Sequence, residues 1–209
     1  HYEPVNILYE DAFLIAAFKP PFLLVHDDGN SQDTLQARIN GYLQLNGNKY
    51  PAQAIHRIDY ETSGLVLFCK HPFFQAYCDK NMEEHHIKKE YIALVQGHTN
   101  YKNKKIVSNI ARDRHNAKKM IIHPNGKESV SIFNTLKNYR DCSLIQVTIL
   151  TGRKHQIRVQ CASLKHPILN DSLYGGKRID NTGLLLQSHH IQFNDVDITC
   201  PQEKRFIRK

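Results

Sequence analysis

Short apolar runs of strand length, each bounded by turn residues, constrain the fold of this chain more than any other feature. The clearest is LVLFC at 65–69, which directly follows Gly64 and is typical of a strand buried on both faces. Apolar and polar residues alternate in KKEYIALVQG (88–97) and SLIQVTIL (143–150), which predicts two more strands. NILYEDAFLIAAFKPP predicts an N-terminal β-hairpin, and LLL (184–186) and HIQF predict strands near the C-terminus.

Three segments carry a helical pattern. In TLQARINGYLQL the apolar residues recur at helical spacing, and Asp33 is the expected N-cap. HPFFQAYCDKNM predicts a second helix. A third follows the strand at 143–150, which should pass through Thr151 and Gly152 into a helix with Ile157, Cys161 and Leu164 on one face.

Many strands with few helices, and no regular βαβ alternation, predict an α+β fold. We expect a central mixed or mostly antiparallel sheet flanked by helices. The length of 209 residues suits one compact domain, or two closely joined lobes, and we expect residues 1–209 to form a single catalytic domain. The basic segment 100–127 is expected to be an exposed excursion.

Composition narrows the function classes. Lys and Arg number 28 against 20 Asp and Glu, a net charge of +8 that favours a polyanionic partner such as nucleic acid. No apolar run approaches the roughly 18 residues of a membrane span, and the N-terminal segment does not have the pattern of a signal peptide. Five cysteines without CxxC spacing predict reduced thiols in the cytoplasm, and no metal-ligand motif is present.

Three short strings carry chemistry-bearing side chains. HRIDYETSG (56–64) places a lone carboxylate, Asp59, in a polar elbow before the buried strand. Lys89 and Tyr91 are two apart on a strand, so both point the same way; the tyrosine could stack on a nucleobase while the ammonium meets phosphate. TGRKHQIRVQ collects polar groups where a helix begins, a place that favours anions, and Arg153 and Gln156 are expected to share a helical face there. Taken singly, a turn acid and a half-buried strand tyrosine are the ordinary interpretations of the first two strings.

Taken together, these strings resemble the RluA-type pseudouridine synthases, which isomerise uridine to pseudouridine within RNA. The resemblance includes HRIDYETSGLVL, KKEYIALVQG, TGRKHQIRVQCASLKHPILNDSLYG, GLLLQSHHIQF and the opening ILYEDAFLIAAFKPPFLLVHDDG, in the family's order, and covers nearly the whole chain. It implies a pseudouridine-synthase-like fold with an active-site cleft across the sheet, and no cofactor. No S4-like RNA-binding domain is visible within residues 1–209.

The resemblance also implies roles for individual residues. Asp59 would either attack C1′ of the ribose or remove the C2′ proton. Arg153 would be its charge partner, and Tyr91 would stack on the uracil and help to remove the C5 proton. Seven residues are expected to contact the substrate or its RNA: His56, Arg57, Lys89, His155, Gln156, Arg158 and Leu186.

The chain departs from the family pattern at four places. Relatives commonly have His-Leu where this chain has Gln160-Cys161, His-Ala where it has Gln187-Ser188, and Gly where it has Asn170. The turn after Lys19 reads Pro-Pro-Phe, where a Gly often follows the proline. None of these positions is assigned to the chemistry.

The expected function is therefore isomerisation of uridines in ribosomal or transfer RNA by a cytoplasmic, monomeric enzyme. A catalytically silent RNA-binding module of the same fold is the main alternative. An unrelated hydrolase that uses a histidine is disfavoured, because no nucleophile elbow accompanies the histidines of HDDG and HPNG.

Overall fold

The structure, a computed structural model, describes residues 4–29 and 31–208. The expected domain range 1–209 therefore includes residues 1–3, 30 and 209, which lie outside the described residues. The chain divides into two compact units: His1–Ile87 with Ser188–Cys200, and Lys88–Gln187 with Pro201–Lys209.

Six strands form the sheet of the first unit, and the pairs β1–β2, β2–β4, β3–β4 and β10–β11 are antiparallel. The predicted N-terminal hairpin is present as β1 and β2, and the run after Gly64 forms β4, which is buried along its whole length. The strand order is β1-β2-β4-β10-β11, with the short β3 pairing with one end of β4. The strands of this unit are β1 (Asn6–Glu10), β2 (Leu14–Lys19), β3 (Gln53–Ala54), β4 (Ser63–Cys69), β10 (Leu186–Phe193, which starts in the second unit) and β11 (Val196–Thr199).

The two faces of this sheet bury separate apolar clusters. Alternation along β2 places Leu14 and Ala16 in one cluster and Ile15 and Ala17 in the other, as the period of two requires. Burial of both faces explains why LVLFC is a continuous apolar run without polar alternation.

Two helices complete the first unit. Helix α1 (Leu35–Leu45) buries Leu35, Ile39 and Leu43, as the sequence pattern predicts, and α2 (Pro72–Glu83) packs beside β4. The expected N-cap of α1 was wrong by one residue. Thr34 caps the helix by accepting a hydrogen bond from the backbone N–H of Ala37 (3.1 Å), whereas Asp33 forms an ion pair with Arg38 (2.7 Å).

Glycine is required near the start of β4. Gly64 has φ +112°, and a Cβ there would overlap the carbonyl oxygen of Ser188 on β10. The glycine therefore permits the close approach of two backbones in addition to its unusual dihedral angle.

The second unit has the strand order β5-β9-β8-β6-β7, and all four of its strand pairs are antiparallel. The basic segment 100–127 is exposed along much of its length, as predicted, but it is built as strands β6 and β7 rather than as an irregular excursion. The strands of this unit are β5 (Lys88–Gln96), β6 (Lys104–Arg112), β7 (Met120–Ile122), β8 (Lys127–Asn138) and β9 (Cys142–Ile149).

Helix α3 (Gln156–Ser163) follows β9 through Thr151 and Gly152, as predicted. Its first six residues are all buried, so the expected single apolar stripe is not its pattern, and Leu164 lies just beyond its end. Leu184 and Leu185 precede β10, and the two strands predicted near the C-terminus are one continuous strand from Leu186. The predicted α+β class is confirmed.

No described helix has the length and apolar character needed to cross a membrane. All five cysteines are buried free thiols.

Candidate active site

Asp59 lies in the loop that connects β3 to β4 and is half-buried. Its carbonyl oxygen accepts a hydrogen bond from the backbone N–H of Thr62 (3.1 Å), which closes a turn directly before β4 begins at Ser63. This turn is the polar elbow that the sequence places before the buried strand. The loop thus places a carboxylate directly before a buried strand.

A buried lysine anchors this loop. Lys19 at the end of β2 is completely buried, and its ammonium donates to the carbonyl oxygens of Pro20 (2.9 Å), Leu23 (2.7 Å) and Tyr60 (3.0 Å). The carbonyl oxygen of Tyr60 also accepts from the backbone N–H of Phe22 (2.8 Å). The Lys-Pro-Pro-Phe turn and the residue after Asp59 are thus held together.

His56 and Arg57 precede Asp59 but differ in exposure. His56 is buried, and its Nε2 accepts a hydrogen bond from the backbone N–H of Leu67 on β4 (3.1 Å). This hydrogen bond attaches the His56 ring to β4, next to the paired strands β3 and β4. Arg57 is exposed and lies 3.2 Å from His26 (Nη1 to Nε2), so of these two expected RNA contacts only Arg57 faces solvent.

Lys89 and Tyr91 lie on β5 opposite Ile149 and Val147 of β9. Both are buried, with 8% and 7% of their surface exposed, and both point to the same face of the strand. Burial lowers the pKa of the Lys89 ammonium to about 8. Lys89 was expected to contact RNA, and its burial leaves little of the side chain accessible for such a contact.

Arg153 lies in the loop between β9 and α3. Its Nε donates to the carbonyl oxygen of Glu128 on β8 (2.8 Å), and the side chain is half-buried. The expectation that Arg153 and Gln156 share a helical face was wrong, because α3 begins only at Gln156 and the residue before it, His155, has a left-handed backbone (φ +54°). The two residues interact differently: the backbone N–H of Arg153 donates to Oε1 of Gln156 (3.0 Å).

The buried amide of Gln156 organises this loop. Its Oε1 also accepts from the hydroxyl of Thr151 (2.8 Å), and its Nε2 donates to the carbonyl oxygen of Val130 (3.1 Å) and the hydroxyl of Ser131 (2.8 Å). Gln156 was expected to contact RNA. Its burial and its contacts within the unit favour a structural role that fixes the Arg153 loop on β8.

Arg158 was also expected to contact RNA, but its side chain is only 4% exposed. It forms a two-pronged ion pair with Asp171, with Nε and Nη2 lying 2.8 and 2.9 Å from the carboxylate oxygens. A guanidinium held in this way is engaged in the interior, and its Cζ also lies 5.1 Å from the ring centroid of Tyr174. The burial favours a structural role here too.

Tyr174 joins three parts of the second unit. Its hydroxyl accepts a hydrogen bond from the backbone N–H of Met120 at the start of β7 (2.8 Å) and shares another with Nδ1 of His155 (2.8 Å). The half-buried His155 therefore points toward this hydroxyl, two residues from Arg153. Leu186, the remaining expected contact, is buried at the start of β10.

The chain is similar in sequence to known proteins over most of its length. Residues 14–163 match the model of the RNA pseudouridylate synthase family. The chain belongs to this family. Among its relatives, an uncharacterized RNA pseudouridine synthase of Bacillus subtilis is 35% identical over 178 residues, covering 84% of this chain and 59% of that protein. The ribosomal large subunit pseudouridine synthase C of Buchnera aphidicola is 34% identical over 222 residues, covering 96% of this chain and 68% of that protein.

The chain spans between 54% and 64% of the length of the first three curated relatives it matches. Among solved structures, human RNA pseudouridylate synthase domain containing 1 superposes with a TM-score of 0.82 at 23% identity, covering 96% of this chain and 84% of that one. At this level of identity the superposition shows that the fold is shared.

Two departures from the family pattern have a conformational explanation. Asn170 and Phe22, which stand where relatives commonly have glycine, both have left-handed backbones, with φ +69° and +61°. Asparagine tolerates this region better than other residues with a Cβ, whereas a phenylalanine there is unusual. The Pro-Pro-Phe turn thus keeps the backbone shape that a glycine would provide.

The other two departures place glutamines in buried hydrogen-bond networks. Gln160 on α3 accepts from the hydroxyl of Ser131 (2.8 Å), and Gln187 donates from Nε2 to the carbonyl oxygen of Pro201 (2.7 Å). Sequence analysis did not single out Lys19, Asp171 or Tyr174 as site-supporting residues. All three lie inside the quoted family strings, but their partners are distant in sequence and no local pattern identifies them.

Proposed function

We propose that this protein converts uridine to pseudouridine in RNA. Family membership over residues 14–163 is the observation that carries the proposal. The anchored loop that presents Asp59 supports it, because the reaction needs a carboxylate held close to the ribose of the target nucleotide. Two of the three curated relatives matched first are named for the large ribosomal subunit, so we propose ribosomal RNA as the substrate and transfer RNA as the alternative.

The reaction exchanges one glycosidic bond for another. The bond between N1 and C1′ breaks, the uracil turns within the site, and a bond from C5 to C1′ forms. C5 then loses its proton and N1 gains one, so no water, oxidant or cofactor enters the balance. A glycoside hydrolase usually needs a second carboxylate that activates water or attacks C1′. Here no water is added, because C5 of the uracil forms the new bond to C1′.

Asp59 is the proposed catalytic carboxylate, acting either by attack on C1′ or by removal of the C2′ proton. The Tyr91 ring would stack on the uracil and assist proton loss from C5. Arg153 would supply the positive charge that favours an ionised carboxylate. Leu186 would contact the uracil, and Arg57 would contact the RNA near the extruded nucleotide.

The proposal also covers how RNA is held. A uridine must leave its stack before its C1′ can be reached, at a cost of a few kcal/mol. The exposed basic side chains around the β6–β7 connection could offset that cost through phosphate contacts, and they are Arg112, Arg114, Lys118 and the partly exposed Lys119. We propose a single catalytic domain, acting as a monomer in the cytoplasm.

The test compares three purified proteins on RNA from cells that lack this gene. Wild type should form pseudouridine at discrete sites, and Asp59→Asn should lower the rate by a factor on the order of 10³ or more. Asp195→Asn makes the same chemical change at an exposed position of the same unit and should match wild type. Sites are mapped by pseudouridine-specific chemical labelling and sequencing.

The same experiment separates the alternatives. If wild type binds the RNA but forms no pseudouridine, the protein is a silent RNA-binding module. If Asp59→Asn remains as active as wild type, the catalytic assignment of Asp59 is wrong.

A further inference from the structure

A polar pocket lies in the first unit on the chain segment that leads to Asp59. It has a volume of about 350 Å³, within the range of about 300–1,000 Å³ typical of ligand pockets. Its lining residues come from four parts of the fold: the segment after the Lys19 turn, the first turn of α1, β3, and the loop before Asp59. They are His26, Gln36, Gln53, Ala54 and Arg57.

Hydrogen bonds connect the segments that line this pocket. The backbone N–H of Gln36 donates to the carbonyl oxygen of Val25 (2.9 Å), which joins α1 to the residue before His26. The backbone N–H of Ala54 donates to Oε1 of Gln36 (3.2 Å), which joins α1 to β3. The lining side chains therefore project from a connected frame.

The hydrogen-bond chemistry of the lining favours a ligand with acceptor atoms. Arginine has only donors, and Nη1 of Arg57 lies 3.2 Å from Nε2 of His26, so the guanidinium is the donor in this contact and keeps further N–H groups for a ligand. Oε1 of Gln36 already accepts one hydrogen bond from Ala54, and its NH₂ group adds two donors to the lining. Gln53 is exposed and can offer both amide atoms.

From this lining we propose that the pocket binds a nucleobase of the RNA that neighbours the target uridine and does not itself react. Guanine fits best, because its O6 and N7 form a pair of adjacent acceptors and arginine is their commonest specific partner. Sequence-specific recognition of RNA uses such splayed bases, hydrogen-bonded at their edges by amides and guanidinium groups. The proposal rests on the proposed function for the identity of the target uridine.

The position of the pocket sets which nucleotide is read. Arg57 and Asp59 are two residues apart, so their Cα atoms lie at most about 7 Å from one another. One nucleotide of an extended RNA strand covers such a distance. The base in the pocket should therefore lie one or two nucleotides from the uridine at Asp59.

The test uses binding, so that it does not depend on catalysis. The probe is a single-stranded RNA pool with one fixed uridine, flanked by nucleotides randomised among adenine, cytosine and guanine. Wild type, the double variant Gln36→Ala/Gln53→Ala, and Gln44→Ala are each used to select bound RNA, which is then sequenced. Gln44 is an exposed glutamine of the same helix outside the pocket, and it serves as the matched control.

Wild type and Gln44→Ala should enrich one base, guanine, about tenfold at a single position within two nucleotides of the uridine. The double variant should lose that enrichment and remain folded, with a small fall in its thermal unfolding temperature because Gln36→Ala removes the hydrogen bond to Ala54. The proposal is overturned if wild type enriches no base there, or if the double variant keeps the same enrichment. It is also overturned if the double variant binds all RNA sequences more weakly by the same factor, since a uniform loss of affinity would indicate a phosphate contact.

These outcomes are separable from a failure of the proposed function. If wild type enriches guanine beside the uridine but forms no pseudouridine in cellular RNA, the pocket proposal stands and the proposed enzymatic function is wrong. If wild type forms pseudouridine but enriches no base near the uridine, the proposed function stands and the pocket proposal is wrong.

Discussion

The ammonium of Lys19 lies 3.0 Å from the carbonyl oxygen of Tyr60, the residue that follows Asp59. Two segments 41 residues apart in sequence are joined by this bond, and the same ammonium also holds the turn formed by Pro20 and Leu23. The position of the proposed catalytic carboxylate thus depends on a residue outside the proposed catalytic set.

Replacing Lys19 by methionine should therefore affect both stability and activity. Methionine has a similar length but donates no hydrogen bond, so buried carbonyl oxygens would lose their partner. We expect the free energy of unfolding to fall by about 3 kcal/mol, measured by urea denaturation, and pseudouridine formation to slow. Lys49→Met, at an exposed lysine, is the control and should leave both unchanged. A Lys19→Met protein as stable as wild type would contradict the anchoring role.

Tyr174→Phe tests the connection between the β6–β7 segment and the Arg153 loop. The variant keeps the aromatic ring that contacts Arg158 and removes only the hydroxyl bonded to Met120 and His155. We expect a loss of about 1–2 kcal/mol in unfolding free energy and faster hydrogen exchange at the backbone amide of Met120. Tyr139→Phe is the matched control. Unchanged exchange at Met120 would show that the hydroxyl does not hold this segment.

Lys89 should make stability depend on pH in the alkaline range. Its pKa is lowered from 10.5 to about 8 by burial, so between these values the unfolded chain binds a proton that the folded chain has released. The free energy of unfolding contributed by this group therefore rises with pH from about 8 to 10.5, by up to about 3 kcal/mol. Urea denaturation of wild type and Lys89→Met across this range measures it.

In that comparison other groups titrate equally in both proteins, so the difference between them isolates Lys89. The variant should lack the rise and should be the more stable protein at pH 7, because it no longer buries a charge. Parallel pH profiles for the two proteins would refute the assignment.

Asn170 permits a matched pair of substitutions. Its side chain donates to Asp180 (2.7 Å) and to the carbonyl oxygen of Gly183 (2.9 Å), and its backbone is left-handed. Asn170→Gly removes the hydrogen bonds and tolerates the backbone, whereas Asn170→Ala removes the bonds and strains it. We expect thermal or urea unfolding to show that alanine is less stable than glycine by about 1 kcal/mol. Equal stability of the two variants would argue against a conformational reason for asparagine here.

Much of the local structure could be predicted from the sequence, because the spacing of apolar residues indicates which side chains are buried. The run LVLFC predicted a doubly buried strand, and the spacing of Leu35, Ile39 and Leu43 predicted the buried face of α1. Predictions failed at element ends. The N-cap of α1 is Thr34, and α3 starts at Gln156, because side-chain contacts and one left-handed residue decide where a helix begins.

The sequence motifs that contain the candidate site residues could be identified from the sequence, but the role of each residue could not. His56, Gln156 and Arg158 have polar side chains that suggest RNA contacts when only the sequence is considered. In the structure all three are buried and hydrogen-bonded within their own units. A buried polar group needs partners, and the partners of these three residues lie on other segments, 11, 25 and 13 residues away along the chain.

The sequence by itself determined the α+β class, the family and the short list of candidate residues, since periodicity and motif spacing are local properties. Only the tertiary structure decided which of those residues face solvent and which hold others in place. The physical reason is that burial and hydrogen-bond pairing join distant segments, as Lys19 joins the loop of Asp59 and Asp171 joins Arg158. The pocket beside Arg57 has the same origin, because its walls come from four separate segments of the chain.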